Sequence, residues 1–345
     1  MVRCDGSLPR SRLGYAPGSF ALMRGCGRAT KCLVTTIWVV SFLIAGCTSD
    51  GGRTDGATGD FARAIEIGGR DVYLTCHGRA AAGAPTIVLI SGYHDSSDVW
   101  TQADVLGLLP PAVGPPVFPA LAESHRVCAY DRPGTLRYVE GTPLTNRSTP
   151  VPQPRTAGEL VAELHDVLAA AGIAPPYVVV GHSLGGLIAR AYAQAHADQV
   201  RGVVFVDAFS ATIPAVFGSR WPTYRDEGLN PPIGRMPIAS MRNPDSERVD
   251  LDASVAEVLA GPPFPKVPVA VLTKTEPFAG LTSFPGLPAD ETNRLYEQAE
   301  DAIVALVPNT PHLFATGSDH YIQFSQPDLV VRATELVVER AVAQP

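Results

Sequence analysis

The sequence predicts a protein of the α/β class, in which strands and helices alternate along the chain. Short apolar runs rich in β-branched residues alternate with stretches of helical periodicity from residue 61 onward. The most informative transition is the run Tyr177-Val178-Val179-Val180, which leads directly into Gly181-His182-Ser183-Leu184-Gly185 and then into a helical pattern. A second long helical pattern covers residues 327–342 and closes the chain.

The first 46 residues have the features of an export signal. Arg24, Arg28 and Lys31 precede an apolar run over residues 33–45, which has the length of a signal-peptide core and is too short to span a bilayer comfortably. The run ends in Leu43-Ile44-Ala45-Gly46-Cys47, which resembles a bacterial lipobox, in which the cysteine is lipidated and becomes the first mature residue. A simple secretory signal and an uncleaved anchor are the alternatives.

We therefore expect a protein that is exported and held at the outer face of the cell membrane by lipid on Cys47, with secretion as the alternative. Met23 is a plausible start that gives a normal basic region, so residues 1–22 are interpreted as an upstream extension. Residues 47–60, which are rich in Gly, Thr and Asp, are predicted to form a flexible tether between the anchor and the folded domain.

The charge of the remaining chain argues against nucleic acid as a partner. Six of the 27 basic residues and one of the 34 acidic residues lie within residues 1–46, which leaves a net charge of −12 for residues 47–345. Such an acidic surface repels phosphate backbones. The length suits one large α/β domain with an insertion, or at most two domains. The sequence does not indicate the oligomeric state.

The elements after the tether follow in a regular order. Gly68-Gly69 separates two strand-like runs and indicates a hairpin. The remaining predicted strands are 86–90, 126–130, 178–180, 203–206, 267–272 and 310–315, and an amphipathic helix is predicted over 157–171. The alternation breaks down between about 209 and 265, where Pro and Gly are frequent and short helical patterns occur at 221–227 and 255–259. We interpret this stretch as a cap inserted over a site.

Together these features resemble the α/β-hydrolase superfamily over residues 61–345. The segments that carry the resemblance follow successive strands: Ile90-Ser91-Gly92-Tyr93, Tyr130-Asp131-Arg132-Pro133-Gly134, residues 181–186, Val206-Asp207-Ala208 and Gly317-Ser318-Asp319-His320-Tyr321. The resemblance implies a mostly parallel eight-stranded sheet with helices on both faces and a cap insertion. It also places Cys76 and Cys128 on neighbouring strands, where they could form a disulfide in an exported protein; two buried free thiols are the alternative.

Ser183 is the predicted nucleophile and His320 the predicted base. A sharp turn between strand and helix exposes the serine hydroxyl, and Gly181 and Gly185 leave room for it, although a serine that merely caps a helix gives a similar pattern. An imidazole titrates near neutral pH, so it can accept the serine proton and return it to a leaving group. The resemblance implies an oxyanion hole formed by the backbone amides of Leu184 and Tyr93. Asp131 and Arg132 are expected to organise a loop rather than to react.

Two residues are candidates for the acid that orients the histidine. Asp207 ends a predicted strand, at a place that some members of the superfamily use for the acid. Glu276 precedes Pro277 after the next strand, where most members carry it, but the segment before it lacks the usual Gly and Asp. The short side chain of Asp207 would be held at a rigid strand end, so we favour Asp207 and retain Glu276 as the alternative.

These residues predict a serine hydrolase, in the first instance a carboxylic ester hydrolase that forms an acyl-enzyme. The alternatives are an aminopeptidase-like enzyme that binds an amine through acids of the cap, a haloperoxidase-like hydrolase, and a non-catalytic lipoprotein that binds an apolar ligand. The sequence contains no HExxH pattern, no paired-cysteine spacing, no P-loop and no dinucleotide fingerprint, so neither a metal nor another cofactor is expected. The expected partners are a small-molecule ester and the membrane.

The lipobox interpretation is tested by Cys47→Ser. We expect this variant to lose its lipid and to move from the membrane fraction to the soluble or precursor pool, because several acyl chains on one cysteine hold a protein firmly at a bilayer. Detergent phase partitioning of the expressed full chain measures the change. Partitioning equal to that of the wild type would contradict the lipobox.

Overall fold

The computed structural model describes residues 59–79, 81–101, 114–139, 142–144, 147–236, 239–279 and 282–343. The predicted signal, Cys47 and nearly all of the tether lie outside these ranges. Within them, no helix combines the length and the apolar character that a membrane span requires.

An eight-stranded sheet forms the core of the domain. Its strands are β1 (Phe61–Ile67), β2 (Arg70–His77), β3 (Thr86–Ile90), β4 (Val127–Tyr130), β7 (Tyr177–His182), β8 (Val200–Val206), β9 (Val269–Lys274) and β10 (His312–Ala315). They lie in the order β1-β2-β4-β3-β7-β8-β9-β10. Strand β2 is antiparallel to both of its neighbours, and the other pairs are parallel. The predicted eight-stranded, mostly parallel sheet is therefore confirmed.

The central strands are apolar throughout because both faces of the sheet are covered. Every residue of β3, β7 and β9 is buried. One face packs against α1 (Asp98–Thr101), α2 (Val117–Ala122), α9 (Ile322–Ser325) and α10 (Pro327–Ala343). The other face packs against α3 (Ala157–Ala170), α4 (Leu184–Ala195) and α8 (Ala289–Val304). A small ribbon, β5 (Arg137–Val139) with β6 (Thr142–Leu144), lies apart from this sheet.

Helix α3 begins where the sequence provides a capping box. The Thr156 side chain accepts from the amide of Glu159 at 3.4 Å, and the Glu159 carboxylate accepts from the amide of Thr156 at 2.7 Å. These two bonds satisfy donors that the first helical turn leaves unpaired. Leu160, Val161 and Leu164 then face the core.

The stretch from 209 to 265 consists of short elements. It contains α5 (Ile213–Phe217), α6 (Trp221–Thr223), a π-helical turn (Tyr224–Leu229), three 3₁₀ turns (Gly218–Arg220, Ile233–Arg235 and Ala239–Arg242) and α7 (Leu251–Ala260). Helix α7 packs on α3 and α4, and its Ser254 hydroxyl accepts from the amide of Ala157 at 2.9 Å. Helix α7 is therefore packed with helices that cover one face of the sheet.

Cys76 and Cys128 form a disulfide between β2 and β4. The two cysteines are directly opposite each other in the antiparallel register, and both are fully buried. The pairing that the family resemblance implied is therefore present in the structure.

Removing this disulfide is expected to destabilise the fold without changing the sheet. The bond joins residues 52 positions apart, and closing a loop of this length restricts the unfolded chain enough to contribute about 2 to 4 kcal/mol. Urea unfolding of the Cys76→Ala/Cys128→Ala variant, beside the oxidised wild type, measures the loss. A free energy of unfolding equal to that of the wild type, or two alkylatable thiols in the native protein, would contradict this role.

Candidate active site

Ser183 occupies a strained turn between β7 and α4. Its φ of 52° and ψ of −122° lie where few residues other than glycine are found. The turn is possible because Gly181 and Gly185 bring the strand and the helix into contact: a Cβ at Gly181 would overlap the Gly185 carbonyl, and one at Gly185 would overlap the Ile90 carbonyl. The turn presents the Ser183 side chain to a cavity at the carboxyl edge of the sheet.

His320 is joined to Asp207 at this edge. Its Nδ1 lies 2.5 Å from Oδ2 of Asp207, and the aspartate side chain is fully buried. Because a carboxylate can only accept, Nδ1 donates this hydrogen bond, and in the neutral form of the imidazole Nε2 is then the nitrogen with the lone pair. The imidazole is thereby fixed in the tautomer that can accept a proton from a hydroxyl.

Asp207 is held from several directions. Its other carboxylate oxygen accepts from the amide of Lys274 at 3.0 Å, and its carbonyl accepts from the Tyr296 hydroxyl at 3.0 Å. Its own amide donates to the carbonyl of Leu272 at 2.8 Å, and its φ is 41°. Contacts with β9 and α8 at the end of β8 thus hold the carboxylate in place toward His320.

Glu276 is not part of this arrangement. Its side chain is exposed, and its amide donates to the carbonyl of Ser318 at 2.9 Å. Of the two acids that the sequence offered, the structure brings Asp207 to the histidine and leaves Glu276 in the loop after β9.

Ser183 and His320 line a common cavity of about 320 Å³. Its wall is largely aromatic and apolar, with Phe209, Tyr224, Leu229, Pro231, Met236, Met241, Phe278, Tyr296 and Tyr321. In the described part of the chain, Ser183 Oγ makes no hydrogen bond to His320. Such bonds are often long without substrate and shorten when it binds, so the two groups are placed to act on one bound molecule.

Burial shifts the pKa of two polar side chains that line the cavity. Burial lowers the pKa of His94 to about 4 and raises the pKa of Asp95 to about 7. His182 is fully buried behind the site, and burial together with His320 holds its pKa well below the usual range. Its Nε2 therefore carries the proton and donates to the His320 carbonyl at 3.0 Å, which supports the loop that carries His320.

The predicted oxyanion residue Tyr93 is tied to the inserted stretch through its side chain. Its hydroxyl accepts from the amide of Val249 at 2.9 Å and donates to the side-chain oxygen of Asn230. The Asn230 amide group in turn donates to the Val249 carbonyl at 2.9 Å. Leu184, the other predicted oxyanion residue, is the first residue of α4.

Sequence reasoning missed α8 and the groups that it brings behind Asp207. Tyr296 lines the cavity, and burial together with the Asp207 charge raises the pKa of Glu300 well above its usual range. The buried Lys274 ammonium lies 3.1 Å from Glu297 and 4.8 Å from the centre of the Phe278 ring. The signal was available, since Leu295, Tyr296, Ala299 and Ile303 follow helical spacing.

The acids of the inserted stretch do not form an amine-binding pocket. Most of these acids are engaged within the chain: Asp226 and Asp252 with Arg225, Glu227 with Arg235, Glu247 with Arg132, and Asp250 as the cap of α7. Among the described residues lining the cavity, Asp95 is the acidic one. This distribution gives the aminopeptidase alternative little support.

Comparison with known proteins agrees with this fold. The model of the alpha/beta hydrolase family matches residues 87–333. The chain is 26% identical over 286 residues to an uncharacterized protein of Schizosaccharomyces pombe, covering 70% of this chain and 50% of that protein. It is 27% identical over 318 residues to "Probable transporter efuK" of Hormonema carpetanum, covering 80% of this chain and 42% of that protein.

A shorter match is to "Putative carbamate hydrolase RutD" of Escherichia coli O9:H4, with 31% identity over 128 residues, 37% of this chain and 39% of that protein. The chain thus spans half or less of the length of these curated relatives. A solved α/β-hydrolase fold protein from Burkholderia ambifaria superposes with a TM-score of 0.50 at 16% identity, covering 79% of this chain and 96% of that one. The chain belongs to the alpha/beta hydrolase family.

Proposed function

We propose that the protein is a serine hydrolase that cleaves carboxylic esters. The observation that carries this proposal is the 2.5 Å contact between His320 and the buried Asp207, at the edge of a cavity that also holds Ser183 on a strained turn. A serine that only capped a helix would need neither the left-handed backbone nor a histidine and a buried acid beside it. These features disfavour the non-catalytic alternative.

In the proposed reaction, the Ser183 oxygen attacks the substrate carbonyl while Nε2 of His320 accepts the hydroxyl proton. Asp207 keeps the imidazole in the required tautomer and stabilises its charged form. The amides of Leu184 and Tyr93 donate to the oxyanion that develops. The imidazolium then gives its proton to the departing alcohol. Water, deprotonated by His320, releases the acid from Ser183.

The cavity supports small or moderately apolar substrates. A volume of about 320 Å³ and a wall of aromatic and aliphatic side chains favour the burial of short acyl or aryl groups. Carbamates are a second substrate class, supported by the match to RutD, because their carbonyl is open to the same attack. A panel of p-nitrophenyl esters of rising chain length, with a p-nitrophenyl carbamate beside them, separates these classes on the domain from residue 47.

From the Cys47 motif alone, we propose that this reaction takes place at the outer face of the membrane.

Ser183→Ala tests the nucleophile. We expect ester turnover to fall by a factor on the order of 10³ to 10⁶, because residual catalysis then comes only from binding and the oxyanion donors. Steady-state hydrolysis of the best p-nitrophenyl ester measures the loss, and circular dichroism checks that the variant is folded. Turnover close to the wild-type value would mean that another group is the nucleophile.

A matched pair of variants tests the acid. Asp207→Asn is expected to lower turnover by about 10⁴, because an amide can hold the imidazole in the wrong tautomer. Glu276→Gln makes the same chemical change on an exposed side chain that does not contact His320, and we expect it to leave turnover nearly unchanged. The reverse pattern would assign the acid to Glu276, and two near-normal variants would point to a third residue.

A further inference from the structure

The loop that follows β3 is held from behind by one buried guanidinium. Arg132 donates to the carbonyl of Ser91 at 2.9 Å and to the carbonyl of Gly92 at 2.5 Å. Its side chain is fully buried. A buried arginine that binds two successive carbonyls fixes the orientation of both peptide planes, because the donors of a guanidinium have a rigid planar arrangement.

The same guanidinium is paired with a buried carboxylate from the inserted stretch. Arg132 Nε lies 2.5 Å from one Glu247 oxygen, and an Nη atom lies 3.1 Å from the other. That second oxygen also accepts from the amide of His94 at 2.7 Å. Burial alone would lower the pKa of Arg132, but the charge and hydrogen bonds of Glu247 outweigh this effect and raise it. Arg132 therefore remains charged, and the pair clamps the loop at Ser91, Gly92 and His94.

This clamp dictates where the amide of Tyr93 points. The peptide bond between Gly92 and Tyr93 is trans, so its carbonyl and its N–H point in opposite directions. Because the Gly92 carbonyl faces Arg132, the Tyr93 N–H is turned away from the ion pair. Tyr93 lies at the wall of the cavity that contains Ser183, and its hydroxyl is anchored separately through Val249.

We propose that Arg132 and Glu247 are positioning residues for the oxyanion hole, acting through the Tyr93 amide. This inference rests on the proposed function, since it assigns a task within the same reaction. An oxyanion donor is effective when it is fixed in advance at the place where charge develops. Glu247 comes from the inserted stretch, so this stretch would contribute to the rate as well as to the shape of the cavity.

Two conservative variants disturb the clamp. In Arg132→Lys the charge is kept, but one ammonium cannot span two carbonyls and both carboxylate oxygens. In Glu247→Gln the shape is kept and the charge is lost. A displacement of about 1 Å at a catalytic group can cost on the order of 10²-fold in rate. We expect losses of about this size in kcat for an ester, with a much smaller change in KM.

The decisive measurement is the ratio of kcat for a p-nitrophenyl ester to kcat for the thionoester of the same acid. Sulfur accepts hydrogen bonds from amides poorly, so this ratio reports on the oxyanion donors and does not depend on the fraction of enzyme that is active. We expect the ratio to fall by about tenfold or more in Arg132→Lys and in Glu247→Gln, as expected when transition-state hydrogen bonds are lost. The control is Arg155→Lys. Arg155 Nη1 lies 3.0 Å from Oε1 of Glu163 in a buried ion pair that does not contact the loop after β3. This variant should keep the wild-type ratio.

The outcomes separate the two levels of the proposal. If wild-type hydrolysis does not depend on Ser183, both the proposed function and this inference fail. If hydrolysis depends on Ser183 but both clamp variants keep the wild-type ratio, the positioning role alone is overturned. An equal fall in Arg155→Lys would also overturn it, since the effect would then be general. Thermal unfolding checks that each variant is folded. If Arg132→Lys does not fold, the ratio measured for Glu247→Gln carries the test alone.

Discussion

The close contact between β7 and α4 at Ser183 is the constraint on which the rest of the site depends. With no side chain at Gly181 or Gly185, the helix starts almost on top of the strand, and the backbone must pass through a left-handed conformation between them. The strain at Ser183 is offset by a parallel sheet that is buried on both faces. Main-chain hydrogen bonds also stabilise the turn, since the Ser183 amide donates to the Val206 carbonyl and the Ser183 carbonyl accepts from the Phe209 amide. The turn therefore brings the nucleophile candidate to the edge where β8 ends at Val206, directly before Asp207.

Local patterns predicted the strands, the turn and the last helix because each of these elements has a strong period or a glycine requirement. They also identified His320 and both candidate acids, and they favoured Asp207 while leaving Glu276 open as the alternative. That choice depends on the relative positions of three loops, which are set by the packing of β8, β9 and α8. The sequence interpretation missed α8, although its apolar spacing is regular. The sequence also could not show that Glu247 pairs with Arg132, because the two residues are 115 positions apart.

The inserted stretch and the loop after β3, at the edge of the sheet that carries Ser183, are joined by buried polar contacts. Tyr93 reaches Asn230 and Val249, and Arg132 reaches Glu247, so the loop after β3 is bound to residues that follow the short helices near the cavity. A buried ion pair gains little net stability unless its partners are fully hydrogen-bonded. Here both groups also bind the backbone of the loop. We interpret the pair as a device for fixing geometry, which a well-packed apolar substitute could not provide.

The most direct test of the central claim is the site and rate of covalent labelling by a fluorophosphonate, followed by mass spectrometry of the peptides. A nucleophile activated by His320 and Asp207 should carry the label on Ser183 alone, and His320→Ala should slow labelling by orders of magnitude in a protein that remains folded. A label on another residue, or labelling of Ser183 that is equally fast without the imidazole, would contradict the account of a serine hydrolase.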